Sequence, residues 1–163
     1  MNAGHRRWQE ILFSRKMMTC ILLGFSSGMP LFVGTHLVPA WLRTNDVDLA
    51  TIGLFAILGL PYTWKFLWSP LMDRYKLPFL GRRRGWALIT QIALLLSIGT
   101  MGQFDPSVSL QGIVIMVFIV ALFSASQDIV LDAYRRELLA DDELGTGTSL
   151  WINACLLYTS DAA

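Results

Sequence analysis

Between Lys16 and Arg43 the chain runs for 26 residues without one formally charged side chain. Three comparable stretches follow, so that four apolar blocks stand out: Met17–Trp41, Thr51–Met72, Gly85–Phe104 and Gly112–Tyr134. A helix needs about 20 apolar residues to cross about 30 Å of hydrocarbon, and each block reaches that length. No charge interrupts the chain between Arg84 and Asp105, or from Pro106 until Asp128. The blocks are apolar on nearly all faces, and a chain of 163 residues has no interior that could bury four such helices. With 15% charged residues against 54% hydrophobic ones, it also lacks the charge to coat a water-soluble surface. The first block is too long for a cleaved secretory leader, and no small-x-small site closes it before Arg43. The expected fold is all-α: a polytopic bundle of transmembrane helices.

Several function classes fall away on composition. A net charge of +1 offers no electrostatic footprint for nucleic acid. Cys20 lies inside an apolar block and Cys155 near the end, with neither disulfide nor metal-ligand spacing. His5 and His36 are far apart, so no metal centre, no cofactor and no nucleophile–base pair of an intramembrane enzyme is expected. A passive membrane scaffold would have little use for charges inside its spans, and two spans carry them.

Basic residues fix the expected orientation. Arg6, Arg7, Arg15 and Lys16 precede the first block; Arg74, Lys76, Arg82, Arg83 and Arg84 separate the second from the third; Arg135 and Arg136 follow the fourth. The opposite loops hold only Arg43. By the positive-inside rule the N-terminus, the second loop and the end of the fourth helix face the cytoplasm.

Charges within spans mark the expected pathway. A lysine at the centre of a span costs about 2.5–3.5 kcal/mol, so Lys65 either snorkels to the interface or meets a partner inside the bundle. From Lys65 to Met72 the helix rises about 10 Å. Asp128 lies six residues before Tyr134, at a similar depth, and Asp132 follows one turn on along the same face. The stripe Ala121, Ser124, Ala125, Asp128 and Asp132 is small or polar, which turns a polar seam toward other helices or a water-filled cavity. Two carboxylates, one level with a lysine, suit proton or substrate handling; a fixed ion pair is the structural alternative. In the first block Gly24 and Gly28 permit close helix approach, and Pro30 removes a backbone hydrogen bond.

The second cytoplasmic loop is the most specific feature. Asp73 and Arg74 close one helix, and Gly81, Arg82, Arg83 and Arg84 open the next. Its guanidinium groups can pair with Asp73, with Asp132 or with exposed helix-end carbonyls, latching the cytoplasmic side.

That loop resembles the Asp-Arg-x-Gly-Arg-Arg/Lys signature of the major facilitator superfamily, with Lys76 to Leu80 inserted between its halves. Three runs narrow the resemblance: Lys65-Phe-Leu-Trp-Ser-Pro-Leu-Met-Asp-Arg-Tyr75, Gly81-Arg-Arg-Arg-Gly-Trp86, and Ser124-Ala-Ser-Gln-Asp-Ile-Val130 with Asp132-Ala133. They look like the AmpG-type muropeptide permeases, over nearly all of residues 17–150; the acetyl-coenzyme A transporters are the nearest confusable branch. The resemblance implies a bacterial inner-membrane carrier that imports anhydro-muropeptides with protons. It also implies two six-helix halves, of which residues 17–154 supply helices one to four and the start of helix five after a cytoplasmic segment 1–16. Lys65, Gln127, Asp128 and Asp132 then belong to the proton or substrate pathway. The implied partners are membrane lipid, protons, a muropeptide and the remaining half of the same protein. The alternative within the fold is a carrier of another large polar solute, such as an acyl-coenzyme A.

Asp141, Asp142 and Glu143 with Gly145 and Gly147 read as a turn into a fifth helix, with acids well placed for its N-terminus. Residues 155–163, Cys155 to Ala163, resemble a translated sequencing adapter. They are expected to be an artefact joined to an N-terminal fragment, with no native packing.

Overall fold

The computed structural model describes residues 14–48, 53, 59–75, 81–106 and 108–160. Arg6 and Arg7, the first part of the Thr51–Met72 block, the Lys76–Leu80 insertion, the side chain of Arg82 and residues 161–163 lie outside the described residues. Every regular element among the described residues is helical. In chain order they are α1 (Arg15–Phe32), α2 (Val38–Thr44), α3 (Gly59–Trp64), α4 (Ser69–Arg74), α5 (Arg82–Met101), α6 (Leu110–Leu138) and α7 (Leu144–Ser160).

Three helical runs are long and apolar enough to cross a membrane: Arg15–Thr44 with 30 residues, Arg83–Met101 with 19 and Leu110–Leu138 with 29. At 1.5 Å per residue they measure about 45, 28 and 43 Å. The first and third exceed the hydrocarbon thickness of about 30 Å, which lets their charged ends reach the headgroups. The α5 surface shows the solvent for which it is built. Leu88, Ile89, Ile92, Leu95 and Leu96 are all exposed, Leu95 to 73%. The hydroxyls of Thr90, Ser97 and Thr100 instead donate to carbonyls four residues back, at 2.9, 2.7 and 2.8 Å. Polar tips are thus satisfied within the helix that carries them, as a bilayer core requires.

Prolines shape the runs. Pro39 has no N–H to return to the Thr35 carbonyl, and the backbone bulges just before it. The π-helical turn Val33–Leu37 joins α1 to α2, with the Val38 N–H reaching back to the Val33 carbonyl. The second block departs further from expectation. One uninterrupted helix was expected up to Met72; the described part instead comprises α3, a 3-10 turn at Lys65–Leu67, and α4. Pro70 explains the restart. Its ring would collide with the Phe66 carbonyl in a continuous α-helix, whereas it is tolerated in the first turn of a new one.

The chain divides into two compact units, Met1–Met29 with Asp132–Ala163 and Pro30–Leu131. In the second unit the core consists of Val38 and Leu42 of α2, Met101 of α5, and Ile113, Val117 and Ala121 on one face of α6. In the first, Met17 and Cys20 of α1 pack with Leu139, beside Leu144 and Leu150. Here α1 and α7 approach until backbone meets backbone. A Cβ on Gly24 would lie 2.5 Å from the Trp151 carbonyl oxygen, and one on Gly28 would lie 2.7 Å from that of Cys155. Helix α7 continues to Ser160, and its Cys155 backbone rests on Gly28.

Candidate functional site: a polar seam on α6

The seam lies on the middle of α6. Ser124, Ala125, Ser126 and Gln127 are four consecutive buried residues, Ser124 and Gln127 with 1% exposure each. Two hydrogen bonds reach this seam from the second block. The Tyr62 hydroxyl donates to Ser124 Oγ at 2.8 Å, and the Trp68 indole N–H donates to Ser126 Oγ at 3.1 Å. The Ser126 hydroxyl in turn donates to the Leu122 carbonyl at 2.8 Å, leaving its lone pairs toward the indole. Tyr62, Trp68 and Ser126 are functional candidates that reasoning from the sequence missed. Their signal was present, because a Tyr or a Trp deep in an apolar block carries a polar tip that must find a partner.

The 3-10 turn makes both bonds possible. Six α-helical steps turn about 600°, leaving residues 62 and 68 about 120° apart around the axis. Three steps of 120° in their place narrow that gap to about 60°. The break thus aims Trp68 toward the side from which Tyr62 already reaches α6.

Lys65 opens the turn and is half-buried, as is Asp128. Ion pairs elsewhere among the described residues include Lys16–Glu143, Arg83–Asp73 and Arg135–Asp132. Asp132 pairs with Arg135 one turn along its own helix, at 3.2 Å. The Arg135 guanidinium also lies over the Trp151 ring, 5.0 Å from its centroid.

The loop signature assembles in part as expected. Arg83 forms an ion pair with Asp73, and the Trp86 indole donates to the Tyr75 carbonyl at 3.0 Å. Gly81 precedes α5 with φ 78° and ψ 174°, a conformation that only glycine adopts comfortably. Arg74 and Arg84 are exposed. A shallow depression of about 510 Å³ beside this loop is lined by Phe66, Ser69, Pro70, Asp73 and Arg74, away from the α6 seam. Among the described residues no three His, Cys, Asp or Glu side chains stand close enough to hold a metal ion.

At the far end of the first unit Lys16 Nζ meets Glu143 Oε2 at 3.0 Å, and the Ala140 N–H donates to the same oxygen at 3.2 Å. The hydrogen bond from Lys16, then that from Ala140, holds the Glu143 carboxyl below its ordinary range.

Membrane-length apolar helices, a proline-broken segment and a buried polar seam define a multi-pass α-helical membrane protein. Comparison with known proteins names the family. The family profile described as acetyl-coenzyme A transporter 1 matches residues 16–150. The chain is 49% identical to an uncharacterized protein of Haemophilus influenzae over 143 residues, which is 88% of this chain and 34% of that protein. It is 47% identical to the anhydromuropeptide permease of Escherichia coli K12 over 130 residues, 80% of this chain and 26% of the permease. To the putative transporter AmpG 3 of Rickettsia prowazekii it is 39% identical, over 76% of this chain and 30% of that protein. The chain spans about a third or less of the length of these relatives. No solved structure matches it. The chain belongs to the acetyl-coenzyme A transporter 1 family of major-facilitator-type carriers, and within it to the AmpG-type members.

Proposed function

We propose that this chain forms part of a proton-coupled importer of anhydro-muropeptides in the bacterial inner membrane, with its N-terminus in the cytoplasm. The observation that carries this reading is the 47% identity to a permease of that name across 80% of the chain. The matched stretch includes the α6 seam and the loop signature. In this reading residues 17–154 supply helices one to four and the start of helix five, and the rest of the cavity comes from the remainder of the carrier. Lys65, Gln127, Asp128 and Asp132 serve the proton or substrate pathway, because ionisable groups inside spans are costly and are kept where charge must move. The loop residues Asp73, Arg74, Gly81, Arg82, Arg83 and Arg84 latch the cytoplasmic side, the Arg83–Asp73 pair being the part of that latch among the described residues. Transport needs no cofactor, and the chain is not read as an enzyme.

The description of the family profile supports a second reading, a carrier of an acyl-coenzyme A. A chimera separates the two. Residues 16–150 replace the matching segment of the Escherichia coli permease in cells that lack their own. Uptake of labelled anhydro-muropeptide driven by a proton gradient is expected. Uptake of an acyl-coenzyme A without muropeptide uptake would decide for the second reading. In the same chimera Asp128→Asn is expected to lower uptake about tenfold or more while leaving the amount of folded protein little changed, since nothing substitutes for a relay carboxylate inside a span. Equal losses of both would assign Asp128 a structural role.

A further inference from the structure

The turn at Lys65–Leu67 is bracketed by the two side-chain hydrogen bonds that tie the second block to α6. Tyr62 stands three residues before Lys65 and Trp68 one residue after Leu67. Their acceptors, Ser124 and Ser126, are both buried. The turn itself is weakly held by its own backbone, because Pro70 offers no N–H to the Phe66 carbonyl and the 3-10 hydrogen bonds have poorer geometry than α-helical ones. Its outward side chains give little help: Phe66 and Leu67 are exposed. Rotation of the break about its axis is therefore governed by contacts on either side of it. In an apolar surrounding each of these two bonds is directional, since a freed hydroxyl or indole N–H finds no water to replace its partner.

We propose that Tyr62 and Trp68 are positioning residues, two polar pins that seat the broken second helix on the Ser124–Ser126 ledge of α6 and so fix where its Lys65 turn sits. The pins act together. Tyr62 fixes the end of α3, Trp68 fixes the start of α4, and the Lys65–Leu67 turn between them has no freedom to wind back into an α-helix without pulling one indole or phenol off its serine. For transport the proposal rests on the carrier reading above; the seating of the turn does not.

The test uses the full 163-residue chain in liposomes, with amide hydrogen exchange read segment by segment. Trp68→Phe and Ser126→Ala delete the same bond from opposite sides, so either remains informative if the other fails to fold. Tyr62→Phe and Ser124→Ala do the same for the second pin. Each deletion is expected to speed exchange over residues 63–71 by about tenfold, with α5 and the flanks of α6 unchanged. The double variant Trp68→Phe with Ser126→Ala should add nothing to either single one. Ser126→Thr keeps the hydroxyl and should exchange like the parent. Unchanged exchange over 63–71, or an equal rise across α5 and α6, would overturn the pins. No substrate enters this measurement, so its outcome is separate from the uptake test. Pins confirmed in a chimera that carries no muropeptide would retire the proposed function alone, and muropeptide uptake with no pin effect would retire the pins alone.

Discussion

Single residues carry much of what distinguishes this chain from a generic bundle, and Gly81 is the simplest case. Its φ of 78° and ψ of 174° place it where a Cβ is strained, whatever space surrounds it. Gly81→Ala should therefore destabilise the protein by about 1–3 kcal/mol, seen as a lower midpoint of thermal unfolding in detergent. An unshifted midpoint would mean that the loop relaxes at no cost. Glu143 gives a pH prediction. Its carboxyl is held below its ordinary value of 4.5 by Lys16 first and the Ala140 N–H second. A depressed acid adds stability that is fully present above the unfolded value and disappears as pH falls through the folded one. The parent chain should thus outlast Glu143→Gln in thermal unfolding at pH 7, and the two should converge as pH drops below about 4.5. A gap that persists undiminished at pH 3 would contradict the linkage. At this scale the sequence was partly legible. Charge inside an apolar block singled out Lys65 and Asp128 without a structure, and the tight loop offered Asp73 as one of several partners for its guanidinium groups, of which Arg83 is the one that meets it. What could not be read was direction around the axis, since counting residues gives depth but not azimuth. The Tyr62–Ser124 and Trp68–Ser126 bonds depend on that direction, so their polar tips could be seen in the sequence but their partners could not.

Elements were legible where hydrophobicity alone sets them. The apolar blocks predicted helices at 17–41, 85–104 and 112–134, and the structure has helical runs over Arg15–Thr44, Arg82–Met101 and Leu110–Leu138. Most of the extra residues at the ends are polar or charged, recruited by helix hydrogen bonding beyond the hydrocarbon, and a search for apolar stretches trims them away. Pro70 was visible, yet its consequence depended on whether α6 offered partners to a restarted helix. The Gly24–Gly28 pair was read as a close-approach motif, and α7 is the helix that uses it. Because the contact is to backbone carbonyls, an added methyl cannot be accommodated by a side chain moving aside. Gly24→Ala should separate α1 from α7 and cost about 1–3 kcal/mol, the usual range for overpacking. Unfolding of the purified chain in mixed micelles would measure it, with Gly59→Ala, which meets nothing within 4 Å, as the control. Similar losses at both positions would show that glycine matters here for a reason other than helix approach.

At the scale of the whole molecule the basic residues gather at particular helix ends, which is the pattern that the positive-inside rule reads as orientation. Arg15 and Lys16 begin α1, Arg82, Arg83 and Arg84 begin α5, and Arg135 and Arg136 lie in the last turn of α6. For α5 this placement runs against local electrostatics. Cations at a helix N-terminus meet the positive end of the dipole, which the Arg83–Asp73 pair offsets at Arg83. A helix optimised on its own would put acids there. The cost is small, about 0.3–1 kcal/mol for each exposed charge, and falls with salt. Retention of a basic cytoplasmic side across a membrane is worth more, because it decides which way the whole bundle inserts. This leads to the orientation prediction. Reporters placed at Asn45 and at Val108 should fall on the side opposite the cytoplasm, and one at Gly81 should fall within it. A fluorescent reporter that folds only in the cytoplasm should be bright at Gly81 and dark at the other two; an export-dependent phosphatase should give the reverse. Replacing Arg82, Arg83 and Arg84 together by Gln removes most of the bias of that loop, and a mixed population at Gly81 is expected. If the triple variant inserts as uniformly as the parent, then the apolar segments themselves, in order of synthesis, set the topology, and the basic loop is kept for the Asp73 latch rather than for insertion.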